Sequence, residues 1–208
     1  MNPAASKHLS GVDKILARVI RKVGPVTVTP PRGTSPFMSL VQAVAHQQLT
    51  GKAAKTILGR VLALYPGKKF PSPADLLRTP NRKLRAAGFS WAKVYAVKDI
   101  AAKTVSGVIP PTTRALLKLS DEEIIERLTS VRGVGSWTVE MMLIFTLGRP
   151  DVWPVTDFGV RKGIALCYKL KDLPTPKEAM AYGERWRPHR SAAAWYLWRA
   201  CDLHKAGK

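Results

Sequence analysis

The sequence predicts an all-α fold. Apolar residues return every three or four positions through most of the 208 residues, and alternating apolar and polar positions are almost confined to Val26–Thr29. Serine, proline and glycine stand where such helices would start and stop. A first helix is expected near Val12–Val23, where Ile15, Leu16, Val19, Ile20 and Val23 share one face, with Gly24 ending it. The proline-punctuated stretch PVTVTPPRGTSP is an extended connection. Ser35 as N-cap and Pro36 in the first turn open a buried helix through SLVQAVAHQQL, with Gly51 as the break before Lys52–Tyr65. PGKKFPSP and RTPNRK frame a short helix at Ala74–Leu77, followed by helices near Arg82–Ala86 and Trp91–Ser106. Ser120 with Glu123 fits a capping box, and Ile124, Ile125 and Leu128 continue one apolar face. Further helices are expected at Thr138–Leu147, Asp157–Tyr168, Thr175–Trp186 and His189–Leu203. With no internal repeat and no low-complexity linker, the length predicts one domain or two small lobes over residues 1–208 rather than a string of modules.

Lys and Arg total 34 against 14 Asp and Glu, a formal charge of +20. An excess of that size repels itself unless an anionic partner absorbs it, and nucleic acid is the leading one. The charge is spread through a chain that is 46% hydrophobic, unlike the disordered basic tails of ribosomal or chromatin proteins. The two cysteines, Cys167 and Cys201, make no CxxC pair, which argues against structural zinc or an iron–sulfur cluster. MNPAASKHLSGVDK lacks the apolar segment of a signal peptide, and no run of about 18 apolar residues is present to span a membrane. The expectation is a soluble protein of a reducing compartment: cytoplasmic, nucleoid-associated in a bacterium or nuclear in a eukaryote.

The most informative stretch runs from Leu128 to Gly163, LTSVRGVGSWTVEMMLIFTLGRPDVWPVTDFGVRKG. Gly133-Val134-Gly135 joins two helical patterns by a turn in which glycine allows positive φ and close approach of another molecule. Amides of such a turn, opening the next helix, can hold a phosphate. An isolated GxG is more often a plain helix–helix turn, so its setting decides. Asp157 follows 22 residues after Gly135, at the start of a helix beyond the rigid RPDVWPVT. A carboxylate there caps the helix, and the same group can stabilise positive charge developing on a sugar and orient a water.

The hairpin VRGVGSWT, its spacing to PVTDFGVRKG, the upstream FMSLVQAVAHQQLTGKAA and the terminal RWRPHRSAAAWYLWRACD closely resemble the alkylbase (3-methyladenine type II) DNA glycosylases of the helix-hairpin-helix superfamily. The resemblance covers about Phe37 to Leu203. It implies a two-lobed helix-hairpin-helix fold, with the hairpin at about 128–138 and an active-site cleft between the lobes. The first helix would pack with the C-terminal one.

The resemblance puts the catalytic Asp at Asp157 and a tryptophan, Trp137, where lyase-competent relatives carry a sugar-attacking lysine. Water would then be the nucleophile and an abasic site the product. Trp137, Trp198 and Phe158 match base-pocket positions, and Met141 stands where bulkier relatives carry an aromatic. Trp91, Trp153, Trp186 and Trp195 read as core aromatics instead. Leu49 matches the apolar wedge that fills the gap left by a flipped nucleotide. The backbone of Gly133, Val134 and Gly135, with Lys52, Lys55, Arg132, Arg161 and Lys162, are the candidate DNA contacts. Carbonyls of Thr129, Arg132 and Val134 correspond to a Na+ or K+ site supporting the hairpin; no other cofactor is implied. The expected partner is double-stranded DNA containing damaged bases, bound by a monomer, with 3-methyladenine and 7-methylguanine as the expected substrates. Two other readings share these features: a non-catalytic helix-hairpin-helix module, and the same scaffold acting on uracil, hypoxanthine or an oxidised purine.

Overall fold

In the computed structural model, which describes residues 3–206, the chain forms two compact helical units. One unit runs from the N-terminal side to Pro31 and resumes at Leu143; the other is Arg32–Met142. Among the described residues there are helices, turns and no strand.

The first unit contains α1 (Pro3–Val12), α2 (Lys14–Val23), a π-helical turn (Leu143–Leu147), α11 (Phe158–Tyr168), α12 (Pro176–Glu184) and α13 (Arg190–Ala206). The helix expected near residues 12–23 is α2, which starts two residues later because Asp13 is its N-cap and accepts from the amides of Ile15 and Leu16; α1, which precedes it, is a helix the sequence reading did not anticipate. Asp13 also accepts from the Tyr168 hydroxyl and, at 3.0 Å, from Trp186 Nε1, so this buried carboxylate ties α2 to α11 and to the end of α12. The segment at Val26–Thr29 forms no ladder; Val26 is buried and its amide donates to Ser6 Oγ. As the resemblance implies, α1 and α2 pack on α13. Leu9, Leu16, Val160, Ile164, Trp186, Tyr196 and Leu197 are fully buried in this core, each side chain of this kind contributing roughly 1.5–3 kcal/mol by leaving water.

The second unit contains α3 (Pro36–His46), α4 (Gly51–Leu62), α5 (Pro73–Arg78), α6 (Asn81–Ala86), α7 (Trp91–Val105), α8 (Thr113–Leu116), α9 (Asp121–Thr129) and α10 (Ser136–Met142). Helix α7 is its hub, with α3, α5 and α6 packed on it through Val94, Val97, Ile100 and their buried neighbours. Ser35, Ser72, Ser90 and Ser120 each cap a helix by accepting an amide from three residues on, with reciprocal capping boxes at Ser72/Asp75 and Ser120/Glu123. The break between α3 and α4 lies earlier than Gly51. Gln47 leaves the helix in an extended conformation, Gln48 adopts φ 57°, and Gly51 is the first residue of α4, capped by Thr50. Trp91 is not a core aromatic: it is exposed and stacks on Tyr95 at the solvent face of α7.

Candidate active site and DNA-contact elements

In the first unit, Asp157 is buried at the N-cap of α11. Its Oδ1 accepts from Val160 N at 2.7 Å and from Trp198 Nε1 at 2.8 Å. The carboxylate therefore faces the positive end of a helix dipole and is fixed by two donors. The cap expected of this carboxylate is present. Trp198 comes from α13 and stacks on Phe145 with ring centroids 5.6 Å apart. Its indole is thus both an aromatic surface and the group that orients Asp157.

The sequence reading missed two glycines that make this arrangement. A Cβ on Gly159 would lie 2.7 Å from Trp198 Cδ1 and 3.1 Å from Asp157 Oδ1. One turn later, a Cβ on Gly163 would lie 2.5 Å from the Leu197 carbonyl. The pair at i and i+4 lets α13 approach α11 backbone to backbone and brings the indole onto the carboxylate. The i, i+4 spacing itself, in DFGVRKG, was the available signal. Phe158 is well exposed on the same turn, with the Lys162 ammonium 5.8 Å from its ring centroid. Arg161 is half-buried and already donates from Nε to the Pro174 carbonyl at 2.6 Å.

In the second unit, the hairpin turn between α9 and α10 is closed by Val131 N on the Leu128 carbonyl and Val134 N on the Val131 carbonyl. Those bonds use carbonyls other than the three assigned to a monovalent cation. Only one of the two glycines is required by the backbone. Gly133 has φ 76° and would place a Cβ 2.8 Å from Ala96 Cβ, whereas nothing lies within 4 Å of a Cβ on Gly135. Val134 is buried between them and its amide is already donated to the Val131 carbonyl, so of its main chain only the carbonyl is left for a ligand, and the expected DNA contact through the Val134 amide is not available. Arg132 is exposed, its guanidinium 4.8 Å above the Tyr95 ring and its amide donating to Asp99 Oδ2 at 2.8 Å.

Beside the hairpin is a cavity of about 650 Å³, within the roughly 300–1,000 Å³ typical of small-ligand sites. Trp137 and Met141 line it together with Gly133, as do His46, Gln47 and Lys93, which the sequence reading did not place there. Trp137 is exposed, and Leu49 projects into solvent from the turn that ends α3. Lys52 and Lys55 are exposed on the first two turns of α4. A lysine in the first turn opposes the helix dipole, so Lys52 is placed against local helix stability. Its position suits an anion docking at that end.

Residues 41–188 match the family described as the HhH-GPD superfamily base excision DNA repair protein. The DNA-3-methyladenine glycosylase 1 of Schizosaccharomyces pombe is 41% identical over 202 residues, covering 96% of this chain and 87% of that one. Among solved structures, the 3-methyladenine DNA glycosylase of that yeast in complex with abasic DNA is similar with a TM-score of 0.84 at 41% identity, covering 94% of this chain and 95% of the other. The DNA-3-methyladenine glycosidase of Bacillus halodurans reaches a TM-score of 0.84 at 32% identity, covering 97% and 91%. The chain belongs to the HhH-GPD superfamily of base excision DNA repair proteins. Within it, the protein is a DNA-repair glycosylase, a hydrolase of N-glycosyl bonds.

Proposed function

We propose that this glycosylase is monofunctional and excises N-alkylated purines, 3-methyladenine and 7-methylguanine above all, from double-stranded DNA. The observation that carries the reading is Asp157: a buried carboxylate fixed by Val160 N and Trp198 Nε1 at a helix N-terminus. Breaking the glycosidic bond leaves an oxocarbenium-like sugar, and a fixed carboxylate stabilises that charge and orients the water that attacks it. Alkylation at a ring nitrogen makes the base cationic and a good leaving group before the enzyme acts. A carboxylate without a dedicated acid then suffices.

The first unit supplies Asp157, while the second supplies the strand grip, through the hairpin amides with Lys52 and Lys55, and the wedge, Leu49. The exposed indole of Trp137 offers a face on which a cationic purine stacks more favourably than a neutral one, by roughly 0.5–2 kcal/mol. Trp137 cannot form a Schiff base, so strand scission should require added alkali or heat. The enzyme acts as a monomer and needs no cofactor for the chemistry, with a monovalent cation on the Thr129, Arg132 and Val134 carbonyls supporting the hairpin alone. The names of the similar proteins from Schizosaccharomyces pombe and Bacillus halodurans support the same substrate class.

The test compares release of 3-methyladenine and 7-methylguanine with that of hypoxanthine and uracil from matched duplexes, with borohydride present in a parallel set. Methylpurine release without a trapped adduct is expected. Faster release of uracil or hypoxanthine would overturn the substrate assignment, and a trapped adduct would overturn the monofunctional one.

A further inference from the structure

Lys93, in the first turn of α7, is half-buried beside the end of α3. Its ammonium donates to the Ala45 carbonyl at 2.9 Å and to the Gln47 carbonyl at 2.8 Å. The C-terminus of α3 is therefore closed by a lysine from another helix. The charge also complements the negative end of the α3 dipole. Burial lowers the lysine's pKa, the cost of placing an ammonium there. A surface lysine serving only the general electrostatic field would not be held this way.

Beyond this capped end the backbone is unusual. Gln47 turns out of the helix, Gln48 occupies the left-handed region at φ 57° without being glycine, and Leu49 emerges exposed. A non-glycine residue held there persists only where its surroundings fix it. Gln47 adds a second tie, its Nε2 donating to the Gly133 carbonyl at 3.0 Å. Helix α7 meets that hairpin too: Ala96 abuts Gly133, and Asp99 accepts the Arg132 amide. Lys93, Ala96 and Asp99 recur at i, i+3 and i+6, so one face of α7 holds both the Leu49 turn and the hairpin in register.

We propose that Lys93 is a positioning residue for base extrusion, gripping the main chain at Ala45 and Gln47 so that Gln48 stays left-handed and Leu49 stays projected. This rests on the reading of Leu49 as the wedge. Without the ammonium, the last carbonyls of α3 turn to water, the Gln48 turn relaxes toward ordinary backbone, and the wedge loses its fixed direction while the phosphate-binding residues remain.

The experiment uses the full chain and a duplex in which 2-aminopurine neighbours a tetrahydrofuran abasic-site analogue. Wedge insertion unstacks the fluorophore, and the signal is read at saturating protein alongside the affinity. The parent should raise the fluorescence. Lys93→Met and Leu49→Ala should each lose most of that rise at saturation, the double variant should lose no more than either, and Lys93→Arg, which can still donate to two carbonyls, should retain it. On a 7-methylguanine duplex, Lys93→Met should slow excision about tenfold or more when the lesion is paired with cytosine and much less when it faces an abasic analogue. A parental fluorescence rise in Lys93→Met, with Leu49→Ala dark, overturns the role of Lys93. So does an equal loss of excision on both duplexes, the mark of a merely structural defect. A parental rise in Leu49→Ala overturns the wedge reading and the Lys93 proposal with it.

Discussion

Asp157 and Gly133 are held in opposite ways. The carboxylate is buried, on a helix that two glycines let pack directly against its neighbour, and both of its described donors belong to that packed pair of helices. The hairpin turn exposes Arg132, Gly133 and Gly135 over buried Val131 and Val134, and polar ties across the second unit add to its order: Gln47 to the Gly133 carbonyl, Asp99 to the Arg132 amide. Each pattern suits the task proposed for it. A charge that must stabilise a transition state works best fixed and sheltered from water, whereas amides that must meet a phosphate have to stay exposed. The comparison separates chemistry from grip, and substitutions in each region should separate them in solution.

The largest effect is expected from Asp157→Asn. The amide keeps the size and can still accept from Val160 N, and Asn caps a helix about as well as Asp, so the melting temperature should barely change. Single-turnover excision should fall by at least about 10²-fold, by analogy with the loss of other preorganised electrostatic groups. Affinity for an abasic-analogue duplex should stay within a few-fold of the parent. Excision near the parental rate would remove Asp157 from the chemistry and end the contrast.

Trp198→Phe tests whether the indole acts through its ring or its N–H. Phenylalanine keeps an aromatic against Phe145 but removes the 2.8 Å donor to Asp157. A charge-assisted hydrogen bond of this kind is worth about 1.5–3 kcal/mol, so a loss of roughly ten- to a hundredfold in excision at saturating enzyme is expected. Unchanged excision would assign Trp198 to stacking alone.

How much of this was legible from the sequence depends on what kind of interaction specifies each feature. Local signals held: Ser35 and Ser120 cap the helices they were expected to cap, a helix starts at Thr175 as expected, and the hairpin and Asp157 fall where the GVG turn and its spacing put them. Features set by contacts distant in sequence were not legible. The separate α1 was not anticipated, and Asp13 between α1 and α2 is held by Tyr168 and Trp186, more than 150 residues away. The α3 helix ends at His46, where Lys93 donates to the Ala45 and Gln47 carbonyls, while periodicity alone would carry the helix on to Leu49. Its residue type puts Trp91 in the core, yet its helical position turns it to solvent beside Tyr95.

The two hairpin glycines offer a finer cut. Gly133→Ala must strain a left-handed backbone and push a methyl against Ala96, which together should lower the melting temperature and weaken DNA binding by about 1–3 kcal/mol. Gly135→Ala meets open space and ordinary backbone. It should leave the melting temperature alone and weaken only DNA binding, through the methyl it presents to the strand. Equal thermal effects at the two sites would contradict the assignment of the strained position to Gly133.

The smallest expected effect concerns Asp75, which lies in neither the chemistry nor the grip and shows what polar ties contribute to the second unit by themselves. At the start of α5, its carboxylate accepts from Lys68, from both Ser72 donors and from Arg78. The Lys68 bond first, then those of Ser72, hold its pKa well below the ordinary carboxylate range. A group whose pKa is depressed in the folded state adds stability above its unfolded value, and loses it as pH falls from that value through the folded one. Asp75→Asn should therefore lower the melting temperature at neutral pH, and the gap between variant and parent should begin to close below about pH 4. Excision and DNA affinity, measured well below the melting temperature, should match the parent. A gap that stayed constant down to the acid limit would show that Asp75 stabilises α5 through hydrogen-bond geometry that an amide cannot copy rather than through its charge.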